Sequence, residues 1–321
     1  MTFFNIYRRV GVRKLAMATK RLSLPPIPST YQTRTLSELH NMHYYLTEGL
    51  EGAKHREYCD VHSFTRAINS QGSKLLSGNA DESLSPYMVF SHVTQEELYK
   101  IEHVRDTHYK GLRFLYLNDP KVLIVKIMRS KIHEMLTREF GHAFIRKAQG
   151  MCLGRALADI GGATYQGTSG GKEADTAFQP RFTRNHETDW PTIVLEGGVS
   201  QSAPRLRADA RWWLEQSMGQ VNVVLLFSVS KLARTIHIEH WEAKMVPNPQ
   251  VTQVCHHPLT ITSKVGDTIL INAHSTTGGP LELNFQKIFL RAPVAEHGET
   301  NFTFTALDLR EYYEDIWSTF Q

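Results

Sequence analysis

The chain has 321 residues, of which 41% are hydrophobic and 21% are charged, and its formal net charge is +4. This composition indicates a soluble globular protein of one or two domains, and no apolar run approaches the roughly 18 residues that a membrane span requires. Cys59, Cys152 and Cys255 are too widely spaced for a disulfide framework or a zinc ribbon, so a reduced intracellular setting fits best.

The N-terminus is basic and amphipathic. Residues 1–37 contain no Asp or Glu, and seven Lys or Arg residues are interspersed with aromatic and aliphatic side chains. An acid-poor, Arg-rich segment of this kind is typical of a mitochondrial presequence. A disordered basic arm, or an overlong gene model with its true start at Met17, explains the composition equally well. We therefore predict a flexible basic arm over residues 1–30, and without a presequence we expect the cytoplasm or the nucleus.

Residues 31–115 are predicted to form a mainly helical N-terminal region. The Thr-x-x-Glu patterns that start at Thr35 and Thr94 are capping boxes, and they predict one helix from Thr35 and another over residues 95–104. Residues 51–90 carry little secondary-structure signal.

An α/β domain is predicted over residues 116–321, because the hydrophobic pattern becomes regular from Lys121 onward. The predicted strands cover residues 122–125, 192–199, 221–229, 235–242, 267–272 and 283–290. The predicted helices cover residues 130–149, a segment from Pro204 to just before Gly219, and residues 305–320. This order indicates a mixed β-sheet flanked by helices.

One glutamate stands out in the predicted strand 192–199. Ile193, Val194 and Leu195 form an apolar run typical of a strand covered on both faces, and Glu196 interrupts it. Carboxylates are rarely buried without a partner or a metal. Asp175 precedes Glu196 by 21 residues and comes within reach of it if the two segments pair as neighbouring strands.

Three segments carry a resemblance to known proteins: GKEAD at residues 171–175, WPTIVLEGG at 190–198 and LRADARWW at 206–213. They resemble the PD-(D/E)XK restriction-endonuclease-like superfamily. They are more closely similar to a group of uncharacterised fungal proteins with SKEGD, WPTxVIExG and LRxDAxWWL-type segments. The resemblance covers about residues 120–320. It implies a restriction-endonuclease-like mixed β-sheet core flanked by helices.

The resemblance also implies a metal site. In the superfamily an aspartate and a glutamate on adjacent strands hold Mg²⁺ or Mn²⁺, so the implied ligands are Asp175 and Glu196, with the carbonyl of Gly197 as a third. A hard cation of this type takes oxygen ligands and lowers the pKa of its bound water. Glu134, on the helix before Asp175, is the implied additional ligand. An ordinary i,i+4 pair with Arg138 is the alternative for that residue.

Further catalytic and binding residues follow from the same resemblance. The superfamily has a lysine two residues after the glutamate, where this chain has Gly198. Lys172 is the candidate to replace that lysine, and Gln201 is the candidate to orient a water molecule. Arg205 and Arg207, early on the next helix, are expected to contact a nucleic-acid phosphate.

Other motifs are incomplete. The Gly-rich segment 167–172 does not match a phosphate-binding loop, and a flexible turn before a strand is expected there. His133-Glu134 lacks the second histidine of HExxH, and Cys255-His256-His257 lacks a second ligand pair.

Three functional hypotheses remain open from the sequence. The first is a Mg²⁺-dependent phosphodiesterase acting on DNA or RNA, which requires Asp175, Glu196 and a cation such as Lys172 to converge in an open cleft. The second is a catalytically inactive restriction-endonuclease-like domain that binds protein or nucleic acid, in which side chains plug the two carboxylates. A pure interaction protein is the third hypothesis, with its exposed surface on the helix at 205–215 or on the C-terminal helix, away from Glu196. The sequence leaves the oligomeric state open.

Overall fold

The computed structural model describes residues 36–77, 84–127, 131–246 and 259–320. In these ranges the α-helices are α1 (Leu36–Thr47), α2 (Val61–Ser77), α3 (Gln95–His108), α4 (Lys131–Gly150), α5 (Ala203–Gln216), α6 (Phe285–Phe289) and α7 (Ala306–Ser318). The strands are β1 (Lys54–Glu57), β2 (Tyr87–Ser91), β3 (Leu112–Leu117), β4 (Val122–Ile127), β5 (Leu157–Asp159), β6 (Thr164–Gln166), β7 (Gly170–Glu173), β8 (Thr176–Pro180), β9 (Ile193–Val199), β10 (Val223–Ser230), β11 (Thr235–Val246), β12 (Leu259–Ile271), β13 (Thr276–Thr277), β14 (Leu281–Leu283) and β15 (Phe302–Phe304).

Two large sheets organise these strands. The six-stranded sheet has the order β1-β2-β4-β3-β7-β6, and the seven-stranded sheet has the order β13-β12-β11-β10-β9-β8-β5. In the seven-stranded sheet β5–β8 and β8–β9 pair antiparallel, whereas β9 and β10 pair parallel with α5 as the crossover. The predicted α/β class is confirmed, since both sheets are mixed and helices flank them, although the strands form two large sheets rather than one.

Three apolar clusters fill the spaces between the layers. One lies between the seven-stranded sheet and helices α4, α6 and α7. A second lies between the two sheets and includes α1 and α5, with Trp212 and Trp213 fully buried in it. The third lies between the six-stranded sheet and helices α2 and α3. The six-stranded sheet is therefore covered on both faces, and one of those faces is turned toward the strand that carries Glu196.

The N-terminal region contributes strands as well as helices. Residues 31–115 contain α1, α2 and α3, but also β1, β2 and most of β3. The predicted boundary at 115/116 falls inside β3, which pairs with β7 through Leu115 and Lys172. The division into domains stays a prediction, and the basic arm at 1–30 and the capping box at Thr35 lie outside the described residues.

Most of the predicted elements around the site are present. The 95–104 helix is α3, whose capping box of Thr94 and Glu97 is formed, and the 130–149 helix is α4. The predicted strand 192–199 is β9, and the helix beginning near Pro204 is α5. In the part of the chain that the structure describes, no helix is long and apolar enough to cross a membrane.

Two local predictions were wrong. The segment 283–290 is not one strand, because β14 ends at Leu283 and α6 follows, with the Asn284 side chain accepting a hydrogen bond from the Lys287 N–H. The Gly-rich segment is not simply a flexible turn, because its second half forms the buried strand β7. Glycine is required at position 170, where a Cβ would clash with the carbonyl oxygen of Tyr116 on the paired strand β3.

Candidate functional site: a buried ionic cluster between the sheets

Asp175 and Glu196 are neighbours because their strands pair. Asp175 immediately precedes β8, and Glu196 lies in β9; the antiparallel register aligns Thr176 with Leu195. Asp175 is 6% exposed and Glu196 is 1% exposed. The sequence-based expectation that the two carboxylates lie together is met, but both are inside the protein rather than in an open cleft.

A lysine from the other sheet lies between the two carboxylates. Lys126 of β4 places its Nζ 2.6 Å from Asp175 Oδ2 and 3.3 Å from Glu196 Oε2. Side chains of a strand alternate between its faces, so Lys126 shares the inner face of the six-stranded sheet with Ile124. Leu123 and Val125 point to the opposite face, toward α2 and α3.

Lys172 and Asp209 extend this pair into a cluster. Lys172 Nζ lies 3.5 Å from Glu196 Oε1 and 3.2 Å from Asp209 Oδ1 on α5. Arg205, one turn earlier on the same helix, lies 3.2 Å from the same Asp209 oxygen. Its guanidinium also donates to the carbonyl of Tyr45 at 2.7 Å, which ties α5 to α1. We call Lys126, Lys172, Arg205, Asp175, Glu196 and Asp209 the ionic cluster.

Backbone and indole N–H groups also donate to oxygens of the two central carboxylates. The Trp213 Nε1–H donates to Glu196 Oε1 at 2.8 Å, and the Gly197 N–H donates to Asp175 Oδ2 at 2.8 Å. Arg113 Nε lies 3.9 Å from Asp175 Oδ1, an oxygen with no hydrogen bond among the described residues. Three cations therefore balance three carboxylates, and Arg113 approaches from the rim.

The environment acts differently on the two central carboxylates. Burial would raise the pKa of Asp175, but Lys126, Arg113 and the Gly197 N–H outweigh burial and lower it. For Glu196 burial prevails and raises the pKa, although Lys172 and Lys126 favour the anion. Burial disfavours the Lys126 cation, but the two carboxylates more than offset that effect and raise its pKa. Lys126 is therefore held as an ammonium ion.

The site does not fit the divalent metal that the superfamily resemblance implies. Mg²⁺ needs near-octahedral oxygen ligands at about 2.0–2.1 Å and usually keeps several water molecules. Here the space between Asp175 and Glu196 holds the Lys126 ammonium, and both carboxylates accept N–H donors. Across the described ranges, no group of three or more His, Cys, Asp or Glu residues is placed to hold a metal ion.

The other predicted site residues are dispersed. Glu134 is exposed on α4, whereas its neighbour His133 and Thr137, one turn further on, are buried. Gln201 lies in the turn Ser200–Ser202 before α5, and its side chain is outside the described residues. Their predicted roles as metal ligand and water-orienting group stay predictions.

The two predicted phosphate-binding arginines are paired within the protein. Arg205 is 1% exposed and belongs to the ionic cluster. Arg207 is half-exposed and makes a bidentate pair with Glu239 of β11, with contacts of 2.6 and 3.1 Å. Nucleic-acid contact by either residue stays a prediction. At Gly198 a Cβ would lie 3.0 Å from Leu206 Cδ1, so α5 leaves little room for a side chain there.

Lys126, Asp209 and Trp213 were not predicted as site residues. The sequence does contain a feature that points to Lys126 as a buried charge, because this lysine interrupts the apolar run of β4 just as Glu196 interrupts that of β9. Asp209 and Trp213 belong to the LRADARWW segment, where they were treated as part of an amphipathic helix. What the sequence did not show is that Lys126 contacts Asp175, which lies 49 residues further along the chain.

No protein-family model matches the chain, and no curated protein matches it. Among solved structures, one match is the crystal structure of a candidate nuclease belonging to DUF820 from Anabaena variabilis. The two chains are 12% identical with a TM-score of 0.39, and the match covers 69% of this chain and 99% of the other.

Proposed function

We propose that the chain is a nuclease-fold protein that does not catalyse metal-dependent hydrolysis and instead serves as a binding module. In this proposal Asp175 and Glu196 hold two sheets together. The observation that carries it is the position of Lys126, whose ammonium group lies 2.6 Å from Asp175 and 3.3 Å from Glu196. The resemblance to the PD-(D/E)XK superfamily and to the fungal group is part of the proposal, since it accounts for the motifs around these residues.

Displacing Lys126 would be costly. Strand β4 lies between β2 and β3 in the interior of the six-stranded sheet, so Lys126 cannot leave by the movement of a loop. Removing one partner of a buried ion pair typically costs about 3–5 kcal/mol, because the other charge is left without compensation. A metal ion entering the site would also have to compete with the Trp213 and Gly197 N–H groups for carboxylate oxygens.

A metal-dependent phosphodiesterase remains the second candidate because of Lys172. Its Nζ lies 3.5 Å from Glu196 Oε1, which is where a cation replacing the usual lysine at position 198 would be needed. Under this candidate Asp175 and Glu196 would hold Mg²⁺ or Mn²⁺ once Lys126 has moved away. DNA and RNA are both open as substrates.

Calorimetric titration of Mg²⁺ and Mn²⁺ into the full chain, beside an Asp175→Asn/Glu196→Gln variant, separates the two candidates. We expect no stoichiometric metal binding by either protein. Asn and Gln preserve side-chain shape, and circular dichroism verifies that the variant is folded. Stoichiometric binding that the variant loses would overturn the proposal in favour of the phosphodiesterase.

A second measurement needs no variant. The wild-type chain is incubated with single-stranded and double-stranded DNA and RNA, with Mn²⁺ or with EDTA. Equal, negligible cleavage in both conditions is expected. Cleavage that EDTA abolishes and that follows the protein through purification would contradict the proposal.

A further inference from the structure

The outer side of the six-stranded sheet carries a second concentration of charge, remote from the ionic cluster. Residues 54–77 contain four Lys or Arg residues and two carboxylates, and α2 contains no Asp or Glu along its 17 residues. We call Lys54, Arg56, Arg66 and Lys74 the basic face. The ionic cluster is on the inner side of the same sheet, so the two groups of charges are separated by the sheet itself.

Strand β1 contributes one half of the basic face. Among the described residues it is an edge strand that pairs with β2, with Lys54 opposite Met88 and Arg56 opposite Phe90. Met88 and Phe90 belong to the apolar cluster under α2 and α3, so Lys54 and Arg56 point to that side. The residues of β1 are exposed from the second one onward.

Lys54 is held in place by a buried amide. Its Nζ donates to Gln71 Oε1 at 2.7 Å, and Gln71 Nε2 donates to the carbonyl of Ser85 at 2.9 Å. Gln71 is 2% exposed, so it fixes the lysine without neutralising it. Partial burial, followed by repulsion from Lys74 and Arg56, lowers the pKa of Lys54. Among the described residues, no Asp or Glu forms an ion pair with Lys54, Arg56 or Lys74.

Helix α2 contributes the other half. Arg66, Ser70 and Lys74 are spaced four residues apart, so they form a ridge along the helix. A shallow groove beside this ridge is lined by His62, Thr65, Arg66, Asn69, Ser70 and Ser73, none of which is acidic. Arginine, hydroxyl and amide side chains are the groups that contact phosphate oxygens in nucleic-acid complexes.

The two carboxylates within residues 54–77 have other partners. Glu57 lies 3.4 Å from His92, and Asp60 Oδ1 accepts the Ser63 N–H at 2.6 Å at the start of α2. Neither is directed into the groove, whose lining holds no acid. The face is thus open, extended and positively charged. An extended polyanion complements that shape better than a small enclosed anion.

We propose that the basic face binds the phosphate backbone of a nucleic acid. The inference builds on the proposed binding role by naming its partner and its surface. The electrostatic component of such binding requires no base readout, so low sequence preference and strong salt dependence are expected.

The test is fluorescence anisotropy of a labelled oligonucleotide of about 20 nucleotides, as single strand and as duplex, with the full chain in EDTA. EDTA prevents metal-dependent cleavage, so the result does not depend on the candidate active site. We expect affinity to fall steeply between about 50 and 200 mM salt. The variant Arg66→Glu/Lys74→Glu should bind about tenfold or more weakly, with the slope of log K against log salt reduced by about 2.

The matched control is Lys131→Glu/Arg155→Glu. Both residues are exposed and outside the basic face, and the double change alters net charge by the same amount. Circular dichroism verifies that both variants are folded. The inference is overturned if the wild-type chain does not bind at low salt, or if the two variants lose affinity equally. Both variants are also tested for binding to anionic lipid vesicles. If Arg66→Glu/Lys74→Glu loses vesicle binding while its nucleic-acid binding is unchanged, the inference is likewise overturned.

Discussion

Trp212 and Trp213 are adjacent residues of α5 with different indole environments. Both side chains are fully buried. The Trp213 Nε1–H donates to Glu196 at 2.8 Å, whereas the Trp212 Nε1–H has no hydrogen-bond partner among the described residues. The two tryptophans therefore provide an internal comparison between a ring that packs and a ring that also satisfies a buried carboxylate.

We expect Trp213→Phe to destabilise the protein more than Trp212→Phe, by about 1–3 kcal/mol. Both changes remove part of an aromatic system from the same apolar cluster, but only Trp213→Phe leaves an oxygen of buried Glu196 without that donor. Urea unfolding at neutral pH measures the difference. Equal destabilisation by the two variants would mean that the Trp213–Glu196 hydrogen bond contributes little.

Lys126 and Glu196 illustrate how far individual residues were predictable. Each is a charged residue within an apolar strand, and this anomaly is visible in sequence alone. It identified Glu196 and, through the spacing to a second acid, Asp175. It could not identify Lys126 as their partner, because the contact requires β4 of one sheet to face β9 of the other. Local pattern locates a buried charge but does not reveal what neutralises it.

At the scale of elements, prediction succeeded where the hydrophobic period was regular. Helix α4, strand β9 and helix α5 were predicted to within a few residues of their bounds. Strand β1 was not predicted, since its sequence KHRE has no apolar residue and its pairing with β2 depends on residues more than 30 positions away. Strand β7 was also obscured, because its glycines suggested a turn.

Gly170 shows why β7 contains glycine. The strand pairs with β3 at Leu117, and a Cβ on Gly170 would clash with the Tyr116 carbonyl. Two residues later β7 delivers Lys172 to Glu196 and Asp209. The absence of a side chain therefore allows the close approach that positions a member of the ionic cluster.

We expect Gly170→Ala to destabilise the protein by about 1–3 kcal/mol, because backbone atoms of β3 and β7 must separate to admit the methyl group. The matched control is Gly150→Ala at the end of α4, where a Cβ would have no atom within 4 Å. Alanine is the better helix former, so the control should be neutral or stabilising by up to about 1 kcal/mol. Urea midpoints compare the two variants, and similar midpoints would rule out the clash.

At the scale of the whole molecule, opposite charges are divided between the layers. Arg113, Lys126 and Lys172 lie on the six-stranded sheet, whereas Asp175 and Glu196 border the strands of the seven-stranded sheet. A buried ion pair adds little net stability compared with apolar packing, but breaking one is costly. The division therefore favours one alignment of the two sheets. It also couples their folding, since neither sheet can bury its charges alone.

The buried His133 makes the stability of the fold depend on pH. Its ring is buried on α4, and burial followed by the nearby Lys126 charge lowers the pKa to about 4. In the unfolded chain the pKa of a histidine is about 6.5. Between these values the unfolded state binds more protons, so stability is lost as pH falls from about 6.5 toward 4. The loss has an upper limit of about 3.5 kcal/mol, from about 1.4 kcal/mol for each of about 2.5 pKa units.

The two carboxylates modify this dependence in opposite directions. The lowered pKa of Asp175 contributes stability that is lost below the unfolded value of about 3.9. The raised pKa of Glu196 means that the folded state gains protons first, so protonation of Glu196 favours folding as pH falls toward its unfolded value of about 4.3. His133 is therefore the group among these three that weakens the fold in mildly acidic solution.

We expect His133→Gln to flatten the decline of unfolding free energy between about pH 6.5 and 4.5, whatever its effect on stability at neutral pH. The measurement is urea unfolding at closely spaced pH values for the wild-type chain and the variant. His142→Gln is the control, because His142 lies on the same helix but is exposed. A decline that persists unchanged in His133→Gln would assign the acid sensitivity to other groups. A decline that disappears only in that variant would tie it to His133.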